Sequence, residues 1–463
     1  NHANRRSASL ERAHDGLRRH AMNRLVQLLL AGAGRALAEN WAVLMAGSNT
    51  YSNYRHQADV HHAYQILKAH GMPEDHIILM AYDDIAGNKN NPYPGKLFNK
   101  PTPRGVEGVD VYANSKISYS GRDVTARNFY AVLTGDSETT GGKPVLQSTE
   151  DDNVFVYFAD HGGVGLISAA FGPYIYAEDL NATLTEMHAK RMYGKLVFYL
   201  EACESGSMFE GILSDQLGIF ATTAANAAQS SYGTYCGLQA TVDGVNLGSC
   251  LGDLYSVNWM EDSDVLAHMY ESSLQDQYSL VASETAGMSE VMLYGDASFS
   301  QDSVCMYQTS RPGACAATDM VVTALDKINS NGGSSEDTSS STDKLDGAVD
   351  SRDVRLLNAM TSMDPDAVVE EVRARDAVDA MYAAIVDRLV KSDAAKADAM
   401  LRGSLGRADL GCRRGAVEGL EAACGRHSDY ALKYVKTINN LCMSGYSAWD
   451  ITAAANLVCG DAH

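Results

Sequence analysis

No stretch of this 463-residue chain approaches the ~18 consecutive apolar residues needed to cross a bilayer, so no membrane span is expected. Basic residues are in deficit, with 37 Lys and Arg against 58 Asp and Glu and a formal net charge of −21. Phosphates would be repelled by such a surface, which argues against a nucleic-acid partner. The same acidity suits an acidic compartment, where many carboxylates approach neutrality, although many cytosolic proteins share it. Phosphate-binding signatures are also missing. Gly47-Ser48-Asn49-Thr50 follows a strand signal, but it contains neither Gly-x-Gly-x-x-Gly nor a Lys-Ser/Thr pair. His56, His61, His62 and His70 match no zinc spacing, and the adjacent His61 and His62 diverge on a helix. Neither a metal nor a cofactor is expected.

What is present suits a globular protein. Hydrophobic residues make up 45%, and the length exceeds one core, which predicts two domains. Nine cysteines is an odd count. Eight can pair and leave one, the pattern of a secreted or lumenal protein with one functional thiol. Nine reduced thiols of a cytosolic protein fit the count equally. Residues 22–38 have a basic start, a short apolar middle interrupted by Arg35, and an Ala-Leu-Ala ending that resembles a secretory cleavage site. Residues 1–40 are therefore read as a signal-like segment.

Two short apolar runs organise the rest: Asn153–Ala159, followed by Asp160-His161-Gly162-Gly163, and Lys195–Glu201, followed by Ala202-Cys203-Glu204-Ser205-Gly206. Their length and Val/Phe/Tyr content predict strands buried on both faces of a parallel sheet. Further strands are predicted at Trp41–Ala46, His76–Tyr82, Leu217–Ala224 and Glu290–Tyr294, with helices at Val60–His70, Thr125–Leu133, Ala177–Lys190 and across 257–283. Residues 86–122 hold four of the nine prolines and read as a long irregular loop. This is an α/β chain with about six strands. Residues 316–350 are Ser/Gly-rich and read as a flexible linker, and 351–463 as an all-helical domain, with Val378, Met381, Ile385 and Leu389 at helical spacing.

In open α/β sheets, chemistry sits beyond the strand C-termini. One such end carries His161 and another Cys203, a base and a nucleophile. A cysteine at a strand end is more often a small buried hydrophobe, but the polar turn 204–206 offers a buried thiol little. Backbone N–H groups of Gly162 and Cys203 could face a developing oxyanion.

Seven ordered segments together resemble the legumain family: Ala46–Asn49, Asn53–Asp59, Tyr82–Ile85, Asp160–Gly162, Glu201–Ser207, Ala221–Asn226 and Tyr255–Ser263. Legumains are asparaginyl endopeptidases, or vacuolar processing enzymes, distantly related in fold to caspases. Gly233–Cys236, Cys250–Asp253 and Arg352–Leu357 resemble the plant-type branch. The resemblance implies a caspase-like three-layer αβα catalytic domain over 41–315, with the helical part as an activity-modulating prodomain. It implies Cys203 as nucleophile, His161 as base, Asn53 as its orienting partner, and Arg55, His56, Glu201, Ser230, Ser231 and Asp253 around the residue before the scissile bond. A guanidinium beside carboxylates can satisfy both ends of an Asn carboxamide, whereas Asp would enter only when protonated. Asp160 matches a position that forms a succinimide in the family.

The resemblance further implies bridges Cys236–Cys250, Cys412–Cys442 and Cys424–Cys459. Cys305 and Cys315 flank a Pro-Gly turn and could close a fourth. Asn329, Asn331 and Asn358 are candidate self-cleavage sites, and Asn181-Ala-Thr183 is a glycosylation sequon. Expected partners are peptides and proteins with Asn or Asp and the chain's own prodomain. The expected state is a monomer or zymogen dimer, and the expected route is secretory, to a vacuole- or lysosome-like compartment. Residues 350–463 hold 17 acidic and 14 basic side chains, so most negative charge lies on the catalytic part. The loop 164–174 departs from the plant pattern, and Gly172-Pro173 leans towards hydrolysis. Two alternatives stay open: a ligase in which an amine resolves the thioester, and a non-catalytic binding homologue.

Overall fold

The computed structural model describes residues 38–317, 341–362 and 364–460; the signal-like segment before residue 38, Asn329 and Asn331 lie outside them. The central sheet has seven strands, in the order Met292–Gly295, Ile219–Thr223, Lys195–Glu201, Asn153–Ala159, Asn40–Ala46, Ile77–Met80, Ile117–Tyr119. Only the Met292–Gly295 edge strand runs antiparallel to its neighbour. The inner strands Asn40–Ala46 and Asn153–Ala159 are buried at every position, as expected where helices cover both faces. Alternate residues feed opposite layers. Val43, Met45, Val156 and Phe158 pack with the helices Ala126–Leu133 and Ala177–Ala189. Ala42, Leu44, Phe155 and Tyr157 pack on the other side with Tyr54–Ala69, Leu254–Asp264 and Leu274–Thr285.

Three sequence expectations change. Ile117–Tyr119, inside the segment read as loop, forms the seventh strand; its three residues are too short for a period-two signal to emerge. The first helix begins at Tyr54 rather than Val60. Arg55, His56 and Asp59 are therefore helical, and their buried polarity hid the period that an amphipathic helix shows. Residues 341–350, expected to be linker, are ordered as a helix Ser341–Asp346 and a strand Val349–Asp350.

The C-terminal part is helical: Val354–Thr361, Pro365–Val390, Ala394–Arg402, Leu410–Cys424, Val435–Met443 and Ala448–Cys459. Asp364 caps the longest helix by accepting the Asp366 and Ala367 amides, and Pro365 occupies its first turn. Disulfides Cys412–Cys442 and Cys424–Cys459 cross-link this region, and Cys236–Cys250 and Cys305–Cys315 lie on the sheet side. The apolar core of the helical region runs on into Leu166, Tyr174 and Tyr176, so the two parts share one buried cluster.

Candidate active site

The chain leaves Asn40–Ala46 for the outer strands Ile77–Met80 and Ile117–Tyr119, then returns to Asn153–Ala159 on the other side. This is a topological switch point, where such sheets open a crevice. His161 follows Asn153–Ala159, and Cys203 follows the adjacent Lys195–Glu201 strand. Ala159 is in register with Glu201, and the Asp160 amide donates to the Glu201 carbonyl at 3.0 Å. Gly162, paired with Ile167 in a small hairpin, lies so close that a Cβ there would sit 2.3 Å from the Cys203 carbonyl oxygen. Only glycine allows that approach.

Asn53 sits at the start of the Tyr54–Ala69 helix, and its Nδ2 donates to the Asn49 carbonyl at 3.1 Å. Its Oδ1 is thereby left to accept from His161 Nε2 at 2.8 Å. The acceptor calls for a proton on Nε2, and Nδ1 has no hydrogen-bond partner among the described residues. Cys203 is the free cysteine among the described residues and is buried. Its sulfur accepts the Ser231 amide at 3.3 Å. Burial pushes its thiol up to about 12; Arg352 works against this, and Glu204 and Asp350 add to it. In this closed form the thiol is protonated.

Beside the thiol lies a buried polar pocket. Arg55 Nε donates to Asp253 Oδ1 at 2.7 Å, while both of its Nη atoms lack hydrogen-bond partners among the described residues. Glu201 Oε2 accepts from the Ser256 amide and hydroxyl at 3.2 and 3.0 Å; Oε1 and Asp253 Oδ2 lack hydrogen-bond partners among the described residues, the latter lying 3.5 Å from His56 Nε2. Asp59 accepts the Asp253 amide and borders the same pocket, a role the sequence reading missed because nothing in its local pattern marks it. Burial, then Asp253, raises both Asp59 and Glu201 well above the usual carboxylate range.

His56 hydrogen-bonds Ser48 at 2.7 Å, lies edge-on to His161, and is held well below its ordinary range by burial and by Arg55. Burial pushes Asp160 up to about 7; neither of its oxygens has a hydrogen-bond partner among the described residues, and Oδ1 lies 3.4 Å from His56 Nδ1. His56, Asp160 and His161 form a group whose ligand atoms lie within 4.8 Å of one another, as a metal site would. The neighbouring Arg55 guanidinium opposes a cation there. His61, His62 and His70 do not join this cluster. Asn181 lies within the Ala177–Ala189 helix, and Asn358 within Val354–Thr361, where its side chain donates to Ser249 at 3.2 Å.

The C-terminal part closes the site. Val349 and Asp350 pair antiparallel with Gly233 and Tyr232, and the Ser351 amide donates to the Ser231 carbonyl at 3.0 Å. Arg352 Nη2 then donates to both carboxylate oxygens of Glu204, and its Nη1 donates to Ser230 Oγ at 3.0 Å. From the helical region, Asp429 places a carboxylate 3.4 Å from both His161 Nε2 and Asn53 Nδ2. The sequence carried no signal for Asp429, which is remote in the chain and meets His161 only through packing.

A thiol and an imidazole at adjacent strand ends, beside a pocket for a polar side chain, define a cysteine-dependent hydrolytic site. The peptidase C13 family matches residues 40–310 and the legumain prodomain residues 366–459. The chain is 39% identical to a vacuolar-processing enzyme of Vicia sativa, covering 90% of this chain and 85% of that one. The beta-isozyme of Arabidopsis thaliana is 38% identical, covering 91% and 86%, and the legumain of Canavalia ensiformis 35%, covering 96% and 93%. A crystal structure of caspase-1 from Spodoptera frugiperda aligns over 56% of this chain and 88% of its own, with 9% identity and a TM-score of 0.33. The chain belongs to the peptidase C13 (legumain) family. It is a cysteine-type endopeptidase with the architecture of a zymogen, its prodomain present in the same chain.

Proposed function

We propose that the enzyme cleaves peptides after asparagine through a Cys203 thioester. His161 Nδ1 takes the thiol proton once the cleft is open, Asn53 holds the imidazole, and the Gly162 and Cys203 amides steady the oxyanion. The observation that carries the specificity is the set of buried atoms without hydrogen-bond partners among the described residues: two guanidinium nitrogens of Arg55 that lack an acceptor, and one oxygen each of Glu201 and Asp253 that lacks a donor. A carboxamide supplies one acceptor and one donor group, so it alone satisfies both sets. His56, Ser230 and Ser231 wall the pocket. Aspartate enters only when protonated, so cleavage after Asp belongs to acidic pH. The assay is hydrolysis of matched Asn, Asp and Gln peptides at pH 4–7. Comparable rates for all three at pH 7 would refute the reading.

The parts divide as a catalytic domain over 41–315, a connecting segment 316–350 and a prodomain 351–463, released after self-cleavage at Asn329 or Asn331. Asn358 sits in a helix and needs unwinding first. The names of the relatives support action in a vacuole, reached through the secretory pathway, and Asp160 as a succinimide former remains part of the family-based reading. Resolution of the thioester by an amine would make the enzyme a ligase; mass analysis with an added amine nucleophile separates the two outcomes.

A further inference from the structure

We infer that the hairpin following His161 carries a guanidinium socket, which in the opened enzyme takes an arginine side chain on the leaving-group side of the scissile bond. This rests on the proposed peptidase reading for its substrate, but not for the existence of the socket.

Arg413 of the helical region is fully buried. Its Nη2 lies 2.7 Å from both oxygens of Glu178, at the start of the Ala177–Ala189 helix. The opposite wall is Gly165, whose φ is +74°; a Cβ there would stand 2.7 Å from Arg413 Cζ and 2.8 Å from Nη2. A flat slot closed by a carboxylate is shaped for a guanidinium and not for a tetrahedral ammonium. Two further arginines dock alongside. Arg414 pairs with Asp179 and lies 4.4 Å over the Tyr176 ring, and Arg426 lies 5.6 Å over Tyr174 and donates to the Ala169 carbonyl at 3.3 Å. All three guanidinium groups come from the helical region; their receiving groups lie in 165–179, apart from the Ala408 carbonyl, which accepts from Arg413 Nη1 at 3.4 Å.

The socket adjoins the nucleophile's turn, because the Gly165 amide donates to Ser207 Oγ at 2.7 Å, four residues beyond Cys203. Its side of the cleft follows from the linker. Val349–Ser351 runs along Gly233–Ser231 towards Cys203, which marks the route of residues before the scissile bond. The hairpin forms the other wall, next to the Cys203 carbonyl, where residues after that bond must pass. Departure of the helical region removes Arg413, Arg414 and Arg426 together and leaves Glu178 and Asp179 without these partners.

Two measurements test this. In the full-length chain, Arg413→Ala should lower the thermal midpoint, and millimolar n-propylguanidinium should restore at least half of that loss, saturably. n-Propylammonium should not, and the Arg413→Ala/Glu178→Gln double variant should show no rescue. Equal effects of the two cations, or rescue in the double variant, would overturn the socket. In acid-processed wild-type protein, quenched peptides carrying Arg or citrulline at each of three positions after Asn should differ at least tenfold in kcat/KM at one position. Glu178→Gln should bring that ratio towards one. Equal cleavage of Arg and citrulline peptides overturns the substrate role. Cleavage of neither counts against the proposed function instead, a distinguishable result, and the rescue experiment still decides the socket.

Discussion

Asn53 fixes the tautomer of His161 by a single hydrogen bond at 2.8 Å, with its own amide turned away to the Asn49 carbonyl. Asn53→Ala keeps thiol and imidazole but frees the ring, and kcat should fall by ~10² or more with little change in KM. Glu201 contributes an open acceptor two residues before Cys203. Glu201→Gln replaces a carboxylate oxygen with a donor, so the preference for Asn over Asp at pH 6–7 should collapse by at least ~10-fold, read from competing peptides. At this scale the sequence was generous: Cys203, His161, Asn53, Arg55, Glu201 and Asp253 all lie in short local motifs. Asp59 lies in the Asn53–Asp59 segment but its contact with Asp253 arises only from packing, and Asp429 has no motif at all, because both roles depend on where helices land.

The linker strand Val349–Asp350 shows what an element adds to its residues. Ser351 contacts Ser231, whose amide donates to the thiol, and the buried atoms of Arg55, Glu201 and Asp253 have no hydrogen bond from it. Ser351→Asn should therefore introduce a self-cleavage between 351 and 352 at pH 5, visible as a new fragment mass; a fragment pattern identical to wild type would mean the strand does not lie as a substrate does. The Gly162 hairpin is the second such element. Gly162→Ala drives a methyl into the Cys203 carbonyl, so activity should be lost with only a modest fall in thermal midpoint. Strands that run fully buried for seven residues were readable from composition. The Ile117–Tyr119 strand and the ordered 341–350 segment were not, since three-residue strands owe their existence to the partner strand and polar sequence docks only when the surface beneath it supplies the pairing.

For the whole molecule, closure is an electrostatic equilibrium as well as an apolar one. Burial would raise Asp429, but His161, Arg355 and Asn53 outweigh it and hold the carboxyl well below its usual range. Glu421 is likewise raised by burial yet brought down to about 2 by His427 and Tyr174, but His427 belongs to the same helical region, so that part of the shift persists when the parts separate. A carboxylate depressed in the closed form stabilises closure above its ordinary value and loses that contribution as pH falls through about 4 towards the closed-form value. Glu204 points the other way: burial raises it despite Arg352, so its protonation favours closure on acidification rather than opening. Of these groups, Asp429 is the one whose loss of charge would weaken closure on acidification. Asp429→Asn should weaken prodomain retention at pH 7 and flatten its dependence between pH 7 and 4, measured by co-elution of the cleaved parts; a wild-type-like pH profile would assign the latch elsewhere. The division into a sheet part and a helical part was readable from the loss of strand signals after 350. The joint hydrophobic cluster that binds Leu166, Tyr174 and Tyr176 to the helices was not, because each side reads as an ordinary amphipathic surface.

The central claim is that Cys203 attacks peptides chosen by a carboxamide-reading pocket. The direct measurement compares acid-processed wild-type protein on matched peptides with Asn or the near-isosteric Leu before the scissile bond, alongside Cys203→Ala under the same conditions at pH 5. The account predicts cleavage of the Asn peptide alone, with Leu slower by ~10³ or more because the buried Arg55, Glu201 and Asp253 atoms stay unpaired, and no cleavage by Cys203→Ala. Comparable cleavage of the Leu peptide, or activity surviving in Cys203→Ala, would contradict it.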